Sequence, residues 1–440
     1  MRREAASEYL RGALWVLPSV AVVIALAAGS GLSFVEVQPD SWLDGLLFQG
    51  TADDARTLLI AIASTMATVI AVVLGLTVVA LQLASTQFSP RLLRNFLRDR
   101  VNQVVLSIFV ATFTYSTAGL YTVGVSAGRR TDEFPRLAVT VALFLLFVSL
   151  LMLVFFVHHL THSIQIDEVM RNVESTTLRV IAHDLPTSGL STEVLPEPPV
   201  WVAALPAYRS GYVQTMHPEI LLAAATSVDV VASVTRMVGE HVIAGSPLVH
   251  VWREDPGQRP PDLEQLGSAA RDAIRIGFER TAEQDVAFGI RQLADIAVKA
   301  LSPAINDPYT SIQAIEHLSV ILASLAGRRL GNQLLRDPDG VLRVVVPGRD
   351  LAYYLELACG QVRRYGKAEP RVDRALLRIL NSTGQFCSDE VGRLLVAEQV
   401  RLVLADAEQA IAQPADFVAV REHAERVLHE MSAADRISGS

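Results

Sequence analysis

Eight small or polar residues recur at alternating steps of four and three within one uncharged segment, residues 57–90. They are Ser64, Thr68, Ala71, Gly75, Val78, Gln82, Ser85 and Ser89. This spacing keeps them on one face of an α-helix. Such a face can contact water or ions in a pore, or its small residues can let helices pack closely in lipid. The sequence supports both interpretations. Because the segment has no charged residue, it forms neither a charge-selective ring nor a proton relay.

A second candidate for chemistry is the pair His158 and His162, which are four residues apart and share one helix face. Neutral imidazoles in this arrangement can bind a transition metal, and Asp167 and Glu168 follow closely enough to add carboxylate ligands. A structural metal site usually needs four ligands, of which the histidines supply half. We therefore assign no metal site and expect an interfacial helix end. Metal binding and pH sensing by these histidines are the alternatives.

The densest polar pattern predicts a helix, a proline turn and a second helix over residues 281–326. The candidate residues of a cytoplasmic polar network are Asp285, Arg291, Gln292, Asp295, Asn306 and Asp307. Arg291 can reach Asp295 across one helical turn, and Asn306 or Asp307 can cap the second helix. We expect Arg291 and Asp295 to be paired and partly buried near this turn, at a subunit contact or small-ligand site. The alternative is an amphipathic helix with solvated charges.

The rest of the sequence shows no catalytic or cofactor-binding motif. We find no phosphate-binding glycine loop, no nucleophile elbow and no paired thiol motif. Cys359 and Cys387 are far apart and fit a reducing cytoplasm rather than a disulfide framework. The net charge of −8 provides no overall basic field to attract nucleic acid. The sequence therefore predicts a protein that is not an enzyme, needs no cofactor and does not bind nucleic acid.

Four uncharged segments in the first third of the chain contain the row of small and polar residues and the histidine pair. These segments are residues 12–35, 57–90, 101–128 and 137–166. Each is longer than the roughly 20 apolar residues that a helix needs to cross a bilayer. The sequence therefore predicts a four-helix transmembrane domain over residues 1–166, with the lipid bilayer as its partner.

The arginine content of the connecting loops predicts the orientation of these helices. Four arginines lie within residues 91–100, whereas the loop between the first two segments is mainly acidic. The arginines at 129, 130 and 136 oppose this orientation, but the sum of the loops favours it. We expect a multi-pass protein with both termini and the large C-terminal part in the cytoplasm.

The remainder of the chain is predicted to be a cytoplasmic α+β region, so that the whole protein is mainly α. Residues 167–199 form a connecting helix and linker, and residues 200–254 form a small β-rich, barrel-like domain with a strand at 220–225. Residues 262–440 form a mainly helical domain that begins with a helix over residues 263–278.

The β-rich segment resembles the small barrel of biotinyl and lipoyl carrier domains and of membrane-fusion adaptors. The resemblance rests on Gly211, Gly239 and Gly245 at turns, together with Asp229 and Pro247. Carrier domains need a lysine at an exposed hairpin tip, and no lysine lies between residues 210 and 252. We therefore expect a structural unit that carries no covalent modification.

Two further stretches resemble a family of predicted bacterial membrane proteins known as domain of unknown function 2254. They are the tail of the second apolar segment, residues 82–96, and the segment from Phe288 to Thr310. The resemblance extends over nearly the whole chain. It implies the architecture above and a location in the cell inner membrane, and it assigns no catalytic residues.

The leading functional hypothesis is an oligomeric membrane protein that forms a channel-like or transport pore with a cytoplasmic regulatory domain. The alternative is a membrane-anchored sensor or scaffold whose cytoplasmic domain binds a small ligand or a protein partner. The two differ in what the polar face of the second helix contacts, which is water in a pore and another helix in a scaffold. Subunit number, permeant species and ligand are not predicted by the sequence.

Overall fold

A computed structural model describes residues 15–32, 45, 47–87, 100–123, 135–163, 165–187, 202–253 and 263–438 of the 440-residue chain. The chain divides into two compact units, Met1–Glu168 and Val169–Ser440. The first is helical where it is described, and the second combines sheets with helices. The predicted fold class, mainly α with a later α+β region, is confirmed at this level.

The described residues of the N-terminal unit form four apolar helices, of which the third is central. They are α1 Val16–Gly31, α2 Ala52–Gln87, α3 Arg100–Thr122 and α4 Arg136–Ser163. Helix α3 contacts each of the other three. Its approach to α1 is close, because a Cβ atom at Gly29 would lie 3.0 Å from the Cβ of Ala118 and 3.2 Å from the carbonyl oxygen of Tyr115. A glycine at this crossing therefore lets the two backbones meet.

Three of these helices are long and apolar enough to span a membrane. The candidate spans are Ala52–Gln82, Arg100–Tyr121 and Arg136–His162. Helix α1 has 16 residues, which at 1.5 Å per residue reach about 24 Å, short of a bilayer core of about 30 Å. The predicted count of four crossings is therefore not confirmed. The ends of the first predicted segment, residues 12–14 and 33–35, lie outside the described residues.

The C-terminal unit contains two sheets. The strands are β1 Ala203–Pro206, β2 Gly211–Met216, β3 Val231–Val234, β4 His241–Val242, β5 Pro247–Trp252, β6 Ile274–Gly277, β7 Gln333–Arg336 and β8 Leu342–Val346. The larger sheet has the order β1-β5-β3-β8-β7, and the smaller one has the order β4-β2-β6. Among the described strands, β3 and β8 pair in parallel, and the other pairs are antiparallel.

This pairing does not confirm an independent barrel-like unit over residues 200–254. Strand β2 pairs with β6, and β3 pairs with β8, so strands from the region predicted as helical complete both sheets. The core is shared in the same way, because Leu266, Ile274 and Val344 belong to one buried cluster with Val213 and Leu248. Short strands with unpaired edges need such partners.

Two local predictions in this region are wrong. Residues 220–225, predicted as a strand, lie in helix α6 Pro218–Ser227. Pro218 suits the first helical turn, and Leu221 and Ala225 are buried one turn apart, which is helical spacing. The predicted helix over residues 263–278 ends early, as α7 Leu263–Ala273, and the next four residues form β6. Tertiary pairing with β2 overrides the local helical pattern there.

Helices complete the C-terminal unit. They are α5 Ile166–Asp184, α8 Val286–Ala300, α9 Pro308–Ala326, α10 Leu351–Leu355, α11 Gln361–Gly366, α12 Pro370–Phe386, α13 Glu390–Ala410 and α14 Pro414–Ser438. A π-helical turn, Glu356–Gly360, joins α10 to α11. Helix α9 packs against α8 and α12, and α12 packs against α13 and α14.

Helix α5 is docked onto α8 and α9. A Cβ atom at Gly289 in α8 would lie 1.9 Å from Oγ1 of Thr177, so only glycine leaves room for that side chain. His317 of α9 lies 2.6 Å from the carboxylate of Glu174, measured from Nδ1 to Oε2. The predicted connecting helix is thus an integral part of the C-terminal unit rather than a free spacer.

Candidate functional site

The stripe of small and polar residues on α2 faces away from the other described helices of the N-terminal unit. Its members with described side chains are all exposed: Ser64, Thr68, Ala71, Gly75, Val78 and Gln82. Ser85 lies within α2, but its side chain is outside the described residues, as is the whole of Ser89. We use the name "α2 stripe" for the six exposed residues.

The opposite face of α2 carries the packing of the N-terminal unit. Its buried residues are Ala55, Leu59, Ile62, Met66, Val73 and Ala80. At about 100° per residue, they lie roughly 140–180° from the axis of the α2 stripe. They join two clusters, one with Tyr115 of α3 and one with Phe156 of α4. The α2 stripe therefore takes no part in the packing of α2 against the other described helices of this unit.

Gly75 shows this directly. A Cβ atom at Gly75 would meet nothing within 4 Å, in contrast to Gly29 on α1. Among the described residues, the small size of residue 75 therefore serves no close contact.

The hydroxyl groups near the α2 stripe are partly satisfied by the helix itself. Thr68 donates a hydrogen bond to the carbonyl oxygen of Ser64 at 3.1 Å, and Thr77 donates to that of Val73 at 2.7 Å. Such bonds to the preceding turn allow hydroxyls within an apolar helix. They leave the acceptor lone pairs of the hydroxyl oxygens available to water or to a cation.

Polar groups also lie inside the helix bundle, and the sequence analysis did not select them. Thr112 of α3 and Ser149 of α4 are fully buried, with their hydroxyl oxygens 2.9 Å apart. Near the start of α3, Asn102 and Gln103 are buried as well. The Asn102 Oδ1 and Gln103 Nε2 atoms have no hydrogen-bond partner within the part of the chain that the structure describes. The adjacent amides at 102 and 103, in an otherwise apolar segment, were a signal that sequence reasoning could have used.

Two arginines used to predict topology are bound to backbone at the ends of the apolar helices. Arg136, which begins α4, donates from Nε to the carbonyl oxygen of Phe48 at 3.0 Å. Arg56 donates to the carbonyl oxygen of Val123, just after α3, at 3.1 Å. Phe48 in turn donates from its backbone nitrogen to Oγ1 of Thr140 at 2.9 Å. These bonds tie the segment before α2 to α4 and join α2 to the end of α3.

His158 and His162 lie near the end of α4 and are exposed. Their ring centroids are 4.2 Å apart, and Nδ1 of His162 lies 2.9 Å from the carbonyl oxygen of His158. The described residues contain no group of three or more histidine, cysteine or acidic side chains placed to hold a metal ion. The structure thus brings the two histidines together, and no third metal ligand joins them from the part of the chain that is described.

Asp285, one of the six residues of the polar network that the sequence predicts, is buried in the C-terminal unit. This residue caps the N-terminus of α8, where its Oδ1 accepts the backbone N–H of Phe288 at 3.1 Å. Arg280 binds both carboxylate oxygens, with distances of 2.5 Å from Nε to Oδ2 and 3.0 Å from its second nitrogen to Oδ1. Arg349 approaches Oδ1 to 3.9 Å. Sequence reasoning found Asp285 but neither arginine.

The surroundings of this ion pair are closely packed. Gly239, with a positive φ of 85°, leaves room for the carboxylate, because a Cβ atom there would lie 2.0 Å from Oδ2 of Asp285. The guanidinium of Arg280 lies 5.4 Å from the ring centre of Phe288, and that of Arg349 lies 5.1 Å from the ring centre of Tyr353. Although burial opposes its charge, the bonds to Asp285 raise the pKa of Arg280 above its usual value.

The other predicted members of the network are placed separately. Asn306 is exposed with a positive φ of 50°, and Asp307 caps α9 by accepting the backbone N–H of Thr310 at 3.1 Å. Hydrogen bonds from Thr310 lower the pKa of the Asp307 carboxyl group. Gln292 is buried, and Arg291 and Asp295 are half-buried on α8. The pairing of Arg291 with Asp295 stays a prediction.

Asp285 therefore acts as a structural link rather than as an open binding site. Its carboxylate is fully used by one backbone N–H and two arginines, and its side chain has no exposed surface. A buried carboxylate satisfied in this way fixes the loops that carry Arg280 and Arg349 relative to α8.

Comparisons with known proteins agree with the membrane character of the N-terminal unit. A family described as predicted membrane proteins, DUF2254, matches residues 11–382. An uncharacterized protein of Mycobacterium tuberculosis (strain H37Rv) is 44% identical over 419 residues, which cover 94% of this chain and 80% of the relative. An uncharacterized protein of Mycobacterium bovis matches with the same identity and the same coverage. No solved structure matches the chain significantly.

Proposed function

The chain belongs to the DUF2254 family of predicted membrane proteins, and from this premise we propose that it forms an oligomeric, channel-like or transport pore lined by the α2 stripe. In this proposal, the C-terminal unit is cytoplasmic and regulates the pore. The proposal assigns no catalytic step to the protein.

The observation that carries the proposal is the outward direction of the α2 stripe. Large apolar residues suit a lipid-facing surface, whereas a row of small and polar residues is less suited to it. A face that repeats these residues over several turns, opposite the packing face, fits a surface directed at water or at another copy. The acceptor oxygens of Ser64 and Thr68, and the amide of Gln82, would then contact the permeating species.

A pore of this kind requires several copies. One chain presents the stripe from a single helix, so a closed lining needs identical helices arranged around an axis, which is the usual symmetry of membrane oligomers. Gly75 and Ala71 would let neighbouring copies of α2 approach closely. Gly75 is exposed, and a Cβ atom there would meet no described residue within 4 Å, which is compatible with a role between copies.

The proposed location is the cell inner membrane, with both termini in the cytoplasm. This topology needs an even number of crossings, whereas three described helices are long enough to span. We therefore propose that α1 completes the fourth crossing together with residues that flank it. The arginines within residues 91–100 would then lie on the cytoplasmic side.

A scaffold is the second candidate function, because the α2 stripe also contains Ala71, Gly75 and Val78. These side chains suit close contact between helices as well as they suit a pore wall. In a scaffold, the same face would be covered by another copy and would exclude water. The membrane part would then anchor a cytoplasmic unit that binds a small ligand or a protein partner.

Conductance of the purified full-length protein in planar bilayers tests the pore. We expect current from the wild type and a narrowed passage in Gly75→Leu, because four extra carbons would enter the lumen. The matched control is Val72→Leu, which adds bulk at an exposed position about 80° from the axis of the α2 stripe. The pore is contradicted if the wild type passes no current across salts, voltages and membrane tension, while Gly75→Leu only dissociates the oligomer.

A further inference from the structure

Helix α12 has one fully buried carboxyl group on its packing face. Asp373 has no exposed surface, and its neighbours on that face, Val372, Leu376 and Leu377, are equally buried. Helix α12 packs against α9, α13 and α14 and also contacts α11. A carboxyl group in this position is surrounded by protein on every side.

Neither oxygen of this carboxyl group is satisfied. Within the described chain, Oδ1 and Oδ2 of Asp373 have no hydrogen-bond partner. An ionised carboxylate without a partner is strongly disfavoured in a protein interior, so the group binds a proton instead. The situation is unlike that of Asp285, whose charge is balanced by two arginines.

The nearest charged groups add to this effect. Burial first, and then the negative charges of Asp406 on α13 and Glu369 at the start of α12, raise the pKa of Asp373 to about 8. Arg363 of α11 forms an ion pair with Asp406, so this guanidinium is engaged by a carboxylate other than that of Asp373.

Most other charged groups on the surrounding helices are exposed. Glu316 of α9 is exposed and lies 3.6 Å from Arg378 of α12. On the side of α12 that meets α14, His423 lies near Arg378, and burial together with neighbouring arginines lowers its pKa. Further charges on these helices are exposed: Arg371, Arg374, Glu390, Glu398, Arg401, Glu408, Glu425, Arg426 and Glu430.

A deformable element lies beside this cluster. Arg363 follows the π-helical turn Glu356–Gly360 by three residues. A π-helical turn holds one more residue than an α-helical turn and is frequently found at functional sites. The carboxylate of Glu356 packs over Gly360, where a Cβ atom would lie 2.0 Å from Oε1 and would displace that side chain.

We propose that Asp373 is a proton-binding site that couples the packing of α12 against α11 and α13 to the surrounding pH. In the protonated state, the neutral carboxyl group is compatible with the apolar core and with the adjacent ion pair. When the pH rises, the proton leaves to solvent and a second negative charge forms beside Asp406. The repulsion and the need for hydration then separate these helices, and the π-helical turn adjusts. This inference does not depend on whether the membrane helices conduct.

Infrared difference spectroscopy of the full-length protein in detergent tests the protonation. We expect the carbonyl band of a protonated carboxylic acid at about pH 6, its loss by about pH 9, and its absence from Asp373→Asn at both values. The matched control, Glu398→Gln, changes an exposed carboxylate on α13 and keeps the band. The proposal is overturned if the wild type lacks the band at about pH 6 or if Asp373→Asn retains it.

Hydrogen exchange tests the coupling to packing. We compare the rate of amide exchange in α12 and α13 between the wild type and Asp373→Asn at the same pH. From about pH 7 to pH 9, we expect the ratio of the wild-type rate to the variant rate to rise at least about tenfold. Glu398→Gln should follow the wild type. Asp373→Leu replaces the carboxyl group with an apolar side chain and should behave as Asp373→Asn does. It provides a second variant in case Asp373→Asn misfolds. Equal exchange in the wild type and both variants would overturn the coupling.

Discussion

Arg280 donates hydrogen bonds from two nitrogen atoms to the fully buried carboxylate of Asp285, with nitrogen–oxygen distances of 2.5 Å and 3.0 Å. The same carboxylate caps α8 and faces Arg349, so it joins a loop after β6, a helix start and a loop after β8. Because removal of one partner from a buried ion pair leaves an uncompensated charge, the C-terminal unit is expected to be sensitive to mutation at this link.

Replacing Asp285 by Ala should therefore destabilise the protein by about 3–5 kcal/mol, since Arg280 would remain buried without its partner. The matched control is Asp350→Ala, because Asp350 caps α10 with an exposed hydrogen bond to the backbone N–H of Tyr353 at 2.8 Å. Loss of that cap should cost about 1 kcal/mol. Chemical unfolding of the full-length protein in detergent measures both, and equal costs would contradict the role of Asp285.

The contact between Gly289 and Thr177 predicts a second sensitive position. Gly289→Ala places a methyl group 1.9 Å from Oγ1 of Thr177, so α5 must shift, at a cost of about 1–3 kcal/mol. Gly267→Ala on α7 is the control, because its Cβ would meet only the end of the Arg271 side chain at 3.9 Å. That variant should be neutral or stabilising by up to about 1 kcal/mol. Thr177→Ala should partly rescue Gly289→Ala in a double-mutant cycle; strict additivity would argue against the contact.

The α2 stripe predicts ion selectivity through Gln82. Gln82→Glu keeps the shape of the side chain and adds a negative charge, so we expect a shift of the reversal potential towards cation selectivity. The preference should vanish below about pH 4, where an ordinary glutamate is protonated. Reversal potentials in asymmetric salt measure this selectivity. Equal reversal potentials for the wild type and Gln82→Glu would show that Gln82 does not lie on the permeation path.

The buried Asp373 predicts how stability depends on pH. Its pKa in the folded protein, about 8, lies above the value of about 3.9 expected in the unfolded chain. The folded state thus binds more protons between these values, and the free energy of unfolding contributed by this group falls as pH rises through that window, by at most about 1.4 kcal/mol per pH unit. Asp373→Asn should abolish this part of the decline. Parallel stability profiles for the wild type and Asp373→Asn would show that residue 373 does not titrate there.

The orientation of the chain is open to a direct test with reporter fusions. A fusion after Ser126 should report the outside of the cell, and a fusion after Ser440 should report the cytoplasm. The prediction follows from the arginines within residues 91–100. A Ser440 fusion that reports the outside would contradict the predicted orientation. If the N-terminus is inside, that result would fit three crossings rather than four.

Sequence patterns located the elements whose ends carry strong local signals. Helix α9 runs from Pro308 to Ala326 as predicted, because Asp307 caps it, Pro308 occupies its first turn and Gly327 follows it. The β-rich region was less predictable. Short apolar runs suit a strand or a buried helix equally well, and partners distant in sequence decide between them, as α6 and β6 show.

The candidate site was predictable in its periodic part. The spacing of the α2 stripe follows from helix geometry alone, and the structure adds that this face points outward. The partners of Asp285 were not predictable, because Arg349 reaches it from a distant loop. Asp373 was missed because it is followed by Arg374 in a charged stretch that is typical of a solvated helix face.

The parallel pairing of β3 with β8 has a consequence for how this protein can evolve. Strands that lie more than a hundred residues apart in the chain share one sheet, with Ala232 opposite Val344 and Ser233 opposite Val345. Recombination at the proline-rich stretch after residue 254 would leave each product with only one half of that sheet. The C-terminal unit is therefore expected to be inherited whole, and gene fusions that borrow its first part alone should yield insoluble products.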